Sequence, residues 1–177
     1  MARKGLIIVF TGDGKGKTSA ALGIALRASG HKHYVSIVQF IKGNTQTGES
    51  RAVERLKPEV ELISLGKGFV NYGNHEVPIE EHRSAARSAL DAARQRVVSG
   101  SWDIVVLDEI NTAISLGLID VGDVLELIAA KPPKLHLILT GRNATQAVID
   151  AADMVTEMRS IKHPFDNGVA AQQGVDF

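Results

Sequence analysis

Five short apolar runs punctuate the chain, at residues 6–10, 35–40, 60–63, 104–107 and 135–139, and each is rich in Val, Ile and Leu. They are apolar almost throughout, without alternation, which is the pattern of strands buried on both faces at the centre of a parallel sheet. Between several of them the spacing turns helical. Residues 18–29 are rich in Ala and Leu and end at Gly30. Residues 80–98 carry Ala85, Ala89, Ala93 and Val97 at four-residue intervals, and residues 121–130 run into Lys131-Pro132-Pro133, a stop signal. Strands alternating with helices imply right-handed crossovers and an α/β fold, a mostly parallel central sheet with helices on both faces. No repeat, low-complexity tract or linker interrupts the pattern, so residues 1–177 are expected to form a single domain. Two loops, residues 41–50 and 66–78, follow strand-like runs. Ligands of open α/β sheets bind beyond the carboxyl ends of strands, which makes these loops candidate walls of a site or ordinary surface loops.

Composition narrows the partners. Twenty Lys and Arg balance twenty Asp and Glu, so the chain as a whole gives no sign of a nucleic-acid or membrane partner, and any anion site must be local. The chain has no Cys, which excludes disulfides, thiolate metal sites and a cysteine nucleophile and points to the cytoplasm. The apolar stretch at residues 5–10 is too short for a signal peptide, and no run approaches membrane-spanning length.

Directly after the first strand-like run stands Thr11-Gly12-Asp13-Gly14-Lys15-Gly16-Lys17-Thr18-Ser19, and a helical segment follows. Strand, glycine-rich loop and helix form the setting of a phosphate-binding P-loop. The glycines let successive N–H groups face one concavity, and the helix N-terminus adds its partial positive charge. Lys17 is expected to reach phosphate oxygens, and the Thr18 hydroxyl to complete the coordination of Mg2+. The match is a variant, because Thr11 stands where the pattern has its first glycine.

A second signal is Trp102 to Glu109, a buried strand that delivers two acids, Asp108 and Glu109, at its carboxyl end. This resembles a Walker B element, whose carboxylates hold Mg2+ directly or through water. Spacing does not separate the two acids; Glu109 is favoured as the nearer metal partner, with Asp108 behind it.

Together these features predict a P-loop NTPase fold of the RecA-like kind, and the motifs in their order resemble one family. Val9-Phe10-Thr11-Gly12 leads into Gly14-Lys15-Gly16-Lys17-Thr18, followed by Arg27-Ala28-Ser29-Gly30-His31 and Val38-Gln39-Phe40-Ile41-Lys42-Gly43. Then come Leu107-Asp108-Glu109, Thr140-Gly141-Arg142, Lys162-His163-Pro164-Phe165-Asp166 and the tail Gly174-Val175-Asp176-Phe177. The chain is similar over nearly its whole length to the P-loop corrinoid adenosyltransferases, which act on cob(I)alamin or cob(I)yrinic acid a,c-diamide.

The resemblance implies transfer of the 5′-deoxyadenosyl group of ATP to Co(I) of a corrinoid, with triphosphate released, in adenosylcobalamin synthesis or salvage. It implies ATP held in reversed orientation in residues Thr11 to Ser19, with Lys17, Thr18 and Glu109 at the chemistry. Arg27, Lys42 and Arg142 are candidates to stabilise the departing triphosphate, and each is equally compatible with a structural role. Gln39, Lys42, Phe69 and Asn71 are the expected corrinoid-side residues. Phe69 falls on an aromatic position of the loop that excludes cobalt's lower ligand, whereas Asn71 stands where longer relatives have Trp; Tyr72 is a possible substitute. An electron-donating reductase and a homodimer are the implied partners. Longer relatives carry an extra amphipathic segment before the first strand, so closure over the corrinoid is expected from a neighbouring subunit or the C-terminal tail.

Two other readings stay open on sequence grounds: an ordinary P-loop ATPase or kinase, and a RecA-like nucleotide-dependent binding module. His31-Lys32-His33 lacks a neighbouring carboxylate or Cys cluster and reads as surface. The arginines at 83, 87, 94 and 96 interleave with Glu80, Glu81 and Asp91, as on a solvated helix face.

Overall fold

In the computed structural model, which describes residues 4–43, 47–68 and 77–176, the five apolar runs are strands. They are β1 (Ile7–Thr11), β2 (Val35–Gln39), β3 (Val60–Ser64), β4 (Ile104–Asp108) and β5 (His136–Thr140). A sixth, β6 (Met154–Glu157), joins them. The sheet has the order β3-β2-β4-β5-β1-β6, and every neighbouring pair is parallel. β6 left no trace in the hydrophobic pattern because all four of its residues are exposed; it is held at the sheet's edge by its pairing with β1.

The long helices are α1 (Lys17–Ser29), α3 (Ile79–Val98) and α5 (Val121–Ala129), close to the expected bounds. Three short ones were not foreseen: α2 (Gly48–Val53), α4 (Ile110–Ser115) and α6 (Gln146–Asp150). None has two full turns, so none can display a 3.6-residue period. Local caps define two of them, since the Thr47 and Thr145 hydroxyls accept hydrogen bonds from the N–H groups of Ser50 and Val148. α2 begins inside the first expected loop, at Gly48.

Each face of the sheet has its own core. Val9, Val38, Val105, Leu107, Leu137 and Leu139 pack with Ala86, Ala89, Ala93 and Val97 of α3 and with residues of α4, α5 and α6. Ile8, Phe10, Val35, Ile37, Val106 and Ile138 pack with Ala21, Ala25 and Ala28 of α1 and with Val53. Ala89, Ala93 and Val97, at four-residue spacing, thus form with Ala86 rather than Ala85 the stripe that α3 turns to this core. Burying one Val, Leu or Ile side chain contributes roughly 1.5–3 kcal/mol, and β2 and β4 are buried at every position.

What this topology does for function lies at the carboxyl edge. Gln39, the last residue of β2, is in register with Ser64 of β3 on one side and with Asp108 of β4 on the other. Thr140 ends β5 and Thr11 ends β1. Five strands therefore finish in polar side chains along one rim, beneath the loop that leads into α1.

Candidate active site

The phosphate loop is fastened from outside before it turns into α1. The Thr11 carbonyl accepts from the Met158 N–H at 2.8 Å, and the Gly14 N–H donates to the Met158 carbonyl at 2.7 Å. The extension of β6 therefore braces the loop as one more strand would. This close approach explains the glycines better than phosphate binding alone. A Cβ on Gly12, whose φ is 93°, would lie 2.4 Å from the Met158 carbonyl oxygen, and one on Gly14 would lie 2.8 Å from the Arg159 backbone.

Lys17 opens α1 and is buried, 7% exposed. Its Nζ donates to the carbonyls of Gly12 at 2.7 Å and Gly14 at 2.8 Å. Burial pushes its pKa below the ordinary lysine value; Glu109 and Asp13 oppose that shift, and Arg142 and Lys15 add to it. Those influences bring Asp13, Lys15, Glu109 and Arg142 within electrostatic reach of the Lys17 ammonium. Gly16 caps the helix in a left-handed conformation, and Ser19 lies exposed in its first turn.

Beneath the loop, Asp108 is 1% exposed. Its Oδ1 accepts from the Thr18 hydroxyl at 2.8 Å and from the Thr140 hydroxyl at 2.8 Å. Its Oδ2 accepts from the Gln39 side-chain amide at 3.0 Å. Glu109 stands next in sequence but in a different backbone state, with φ at 66°. A non-glycine residue in that region costs on the order of 1–2 kcal/mol, and two contacts hold it there. The Glu109 N–H donates to the Thr140 hydroxyl oxygen at 2.9 Å, and the Thr112 hydroxyl donates to the Glu109 carboxylate. Thr140 thus serves both acids at once, and Thr112 also accepts from the Arg142 N–H at 3.0 Å.

Of the two acids, Asp108 is the one hydrogen-bonded to Thr18, whereas Glu109 reaches the site from the Lys17 side. Asp108 is therefore the acid in contact with Thr18, because it ends the strand while the left-handed Glu109 has already turned towards α4.

The other expected site residues divide. Thr11 is buried and its hydroxyl oxygen accepts from the Ala144 N–H at 3.2 Å. Asp13 is exposed, and Lys15 pairs with Asp176 of the tail. Arg27 is in the last turn of α1, about 15 Å along the axis from Lys17. Within one chain the helix carries it away from the phosphate loop, a correction to its expected role there. Lys42 is engaged by Glu49 at 2.5 Å. Burial pushes the Glu49 carboxyl up, but the Lys42 hydrogen bond and others outweigh it and hold the group below its ordinary value. Gln39, expected at the corrinoid, is turned inward and only 2% exposed. The correction follows from its position at a strand end between two neighbours, where both polar ends of its amide find partners. Phe69 and Asn71 lie outside the described residues, as does Tyr72.

Thr112, Thr140 and Met158 were missed as site residues. Thr140 had a signal, since it ends an apolar run immediately before Gly141; Thr112 and Met158 had none, because their roles come from contacts across the fold. Among the described residues no group of His, Asp and Glu forms a multi-ligand metal cluster. The His31 and His33 rings stand 6.4 Å apart, and His33 lies 3.6 Å from Asp103.

With a buried lysine at the mouth of a glycine loop, and a helix hydroxyl bonded to a strand-end carboxylate, the rim is built to receive a phosphorylated ligand. The sequence profile of the ATP:corrinoid adenosyltransferase BtuR/CobO/CobP family matches residues 3–177. The chain belongs to this family. Its similarity to individual members extends over nearly its whole length. It is 40% identical over 174 residues to the corrinoid adenosyltransferase of Pseudomonas aeruginosa, covering 98% of this chain and 84% of that one. It is 36% identical over 174 residues to that of Escherichia coli K12, covering 98% and 86%. Among solved structures, the chain is similar to flagellar accessory protein FlaH from Methanocaldococcus jannaschii, with a TM-score of 0.58 at 13% identity over 88% of this chain and 71% of that one. It is also similar to the KaiC-like protein PH0186 from Pyrococcus horikoshii, with a TM-score of 0.51 at 15% identity over 87% and 73%. At those identities the likeness is one of fold, the α/β fold of P-loop NTPases.

Proposed function

We propose that this chain transfers the 5′-deoxyadenosyl group of ATP to the Co(I) centre of a corrinoid substrate. The observation that carries the reading is the meeting of Lys17, Thr18 and Asp108 at one sheet rim in a member of this family. Co(I) supplies the electron pair that forms the Co–C5′ bond, the C5′–O bond breaks, and triphosphate leaves with the bonding pair. No side-chain nucleophile is required, and the protein's contribution is binding, orientation and charge.

Lys17 is poised for that work because its present partners are backbone carbonyls of the loop itself. Phosphate oxygens offer the same lysine a stronger, charge-assisted acceptor. The N-terminus of α1 and the Arg142 side chain add positive potential on the same side. Charge accumulates on triphosphate as it departs, so contacts from Lys17 strengthen along the reaction and lower the barrier.

Mg2+ fits this site by the chemistry of its donors. Thr18 and Asp108 offer only oxygen, and Asp108, although buried, has no Lys or Arg partner among the described residues. Buried carboxylates are ordinarily paired or coordinate a metal. Thr18 and Asp108 would hold the ion, with Glu109 next to them, and when bound it would offset the charge of the triphosphate.

The wider setting belongs to the same proposal. We read residues 1–177 as one catalytic domain, cytoplasmic and served by an electron-donating reductase. Among the described residues no helix is long and apolar enough to cross a membrane. A homodimer is the assembly we propose; Met154 and Val155 on the outer strand β6, 41% and 40% exposed, are apolar surface that a second copy would cover.

The deciding experiment incubates the protein with ATP, Mg2+ and a chemically reduced corrinoid and analyses both products. Triphosphate together with a light-sensitive adenosylated corrinoid is expected. ADP and phosphate, with the corrinoid unchanged, would overturn the reading in favour of an ordinary P-loop ATPase.

A further inference from the structure

Asp108 is held by more than Thr18 and Thr140. Its second oxygen is held by Gln39, and Gln39 is held by Ser64, whose hydroxyl donates to Gln39 Oε1 at 2.6 Å. Each of these residues is the last of its strand, and Gln39 is in register with both Ser64 and Asp108. The contacts form one continuous row across the carboxyl rim, from Ser64 on β3 through Gln39 on β2 and Asp108 on β4 to Thr140 on β5. Gln39, Asp108 and Thr140 are 2%, 1% and 0% exposed, so water does not compete for the bonds among them, and Ser64 is half-buried.

The row has a direction that chemistry dictates. A carboxylate only accepts hydrogen bonds, so the Gln39 amide must turn its NH2 towards Asp108 and its oxygen away. A lone amide between two strands could flip, setting its oxygen against the Asp108 oxygen. The carboxylate itself excludes that alternative, and the Ser64 hydroxyl, donating to the amide oxygen, adds a second bond to the orientation so set. Gln39 in turn leaves Asp108 Oδ1 facing Thr18.

From this geometry we infer that Ser64 and Gln39 are positioning residues for Mg2+, a two-residue relay that fixes the Asp108 carboxylate against the Thr18 hydroxyl. Their side-chain partners are each other and Asp108. Residues that orient metal ligands in this way typically change metal affinity about 10–100-fold when removed. The inference rests on the proposed Mg2+ role of Thr18 and Asp108.

The test is ATP binding by calorimetry, in EDTA and across a Mg2+ series, which needs no turnover. In Gln39→Met, similar in length but without an amide, the Mg2+ concentration for half-maximal enhancement of ATP binding should rise about tenfold while affinity in EDTA stays within about twofold. Ser64→Ala should raise it about threefold, the equivalent of one ordinary hydrogen bond, and Ser64→Thr, which keeps the hydroxyl, should match wild type. An unchanged Mg2+ requirement in Gln39→Met overturns the relay, and so does an equal loss of affinity with and without Mg2+, which marks a merely structural residue. Should Gln39→Met fail to fold, Ser64→Ala decides alone: a raised requirement supports the relay and an unchanged one overturns it. Wild-type protein that binds ATP equally with and without Mg2+ would instead overturn the Mg2+ reading itself, and the relay with it.

Discussion

Lys15 and Lys17 stand two residues apart in one motif, the first exposed and the second buried. Lys17 is buried, bonded to two backbone carbonyls, and its pKa is driven down by desolvation. Lys15 keeps a side chain that is 54% exposed and pairs with Asp176 of the C-terminal tail. The inner lysine sits in a rim where nearly every partner is fixed by strand register. The outer one pairs with a tail in which Phe165 and Val175 are exposed. Two identical side chains in one motif therefore differ in what they can do. Lys17 is pre-organised to meet a triphosphate, whereas Lys15 ties the loop to the tail through a pair that solvent screens.

The largest effect that would break this contrast is expected at Lys17. Lys17→Ala should raise the activation barrier of adenosyl transfer by about 2–4 kcal/mol, by analogy with other contacts to developing oxyanions; kcat near the wild-type value would show that the loop is not the active site. Next come the two acids. Asp108→Asn should reduce kcat/KM at limiting Mg2+ by about 10–100-fold, and Glu109→Gln should do less, since it is Asp108 that bonds Thr18. The reverse ranking would restore Glu109 as the nearer metal partner. Thr140→Val comes third. It removes a buried hydroxyl that donates to Asp108 and accepts from the Glu109 N–H, and leaving such groups unpaired costs about 1–3 kcal/mol. Chemical denaturation should register that loss as a lower midpoint.

The smallest effect concerns the tail. The Lys15 hydrogen bond, followed by the Gln172 N–H, holds the Asp176 carboxyl below its ordinary value. A carboxyl depressed in the folded state contributes above its unfolded pKa and loses that contribution as pH falls through the folded one. The clasp should therefore persist through neutral and mildly acid pH and open only below the ordinary carboxylate range. Because the chain has no Cys, a fluorophore attached through Ala170→Cys reports the tail alone. Its anisotropy should be flat until that acid limit, whereas in Asp176→Asn it should be low at every pH. A fall near neutral pH would show that the Lys15–Asp176 pair does not hold the tail.

Much of this molecule is written locally. Five strands and three long helices were visible as apolar runs and four-residue spacings because burial on both faces, or along one stripe, leaves a periodic mark. β6 left none, being exposed at all four positions, and α2, α4 and α6 are shorter than the period that would reveal them. The phosphate loop was legible for a similar reason: a glycine loop between strand and helix is a local device.

What the sequence by itself determined was therefore the α/β class, the phosphate loop with Lys17 and Thr18, and the pair of acids that closes β4. It left open which acid faces Thr18, and it did not reveal that Gln39 is buried between strand ends or that Arg27 lies in the last turn of α1. Those matters were decided by tertiary structure alone. The order β3-β2-β4-β5-β1-β6 lines up the ends of strands far apart in the chain. Only in that register do Ser64, Gln39, Asp108 and Thr140 come within hydrogen-bonding distance. Hydrophobic patterning specifies that a strand is buried, but not which strand lies beside it, and the polar row along the rim exists only through that choice.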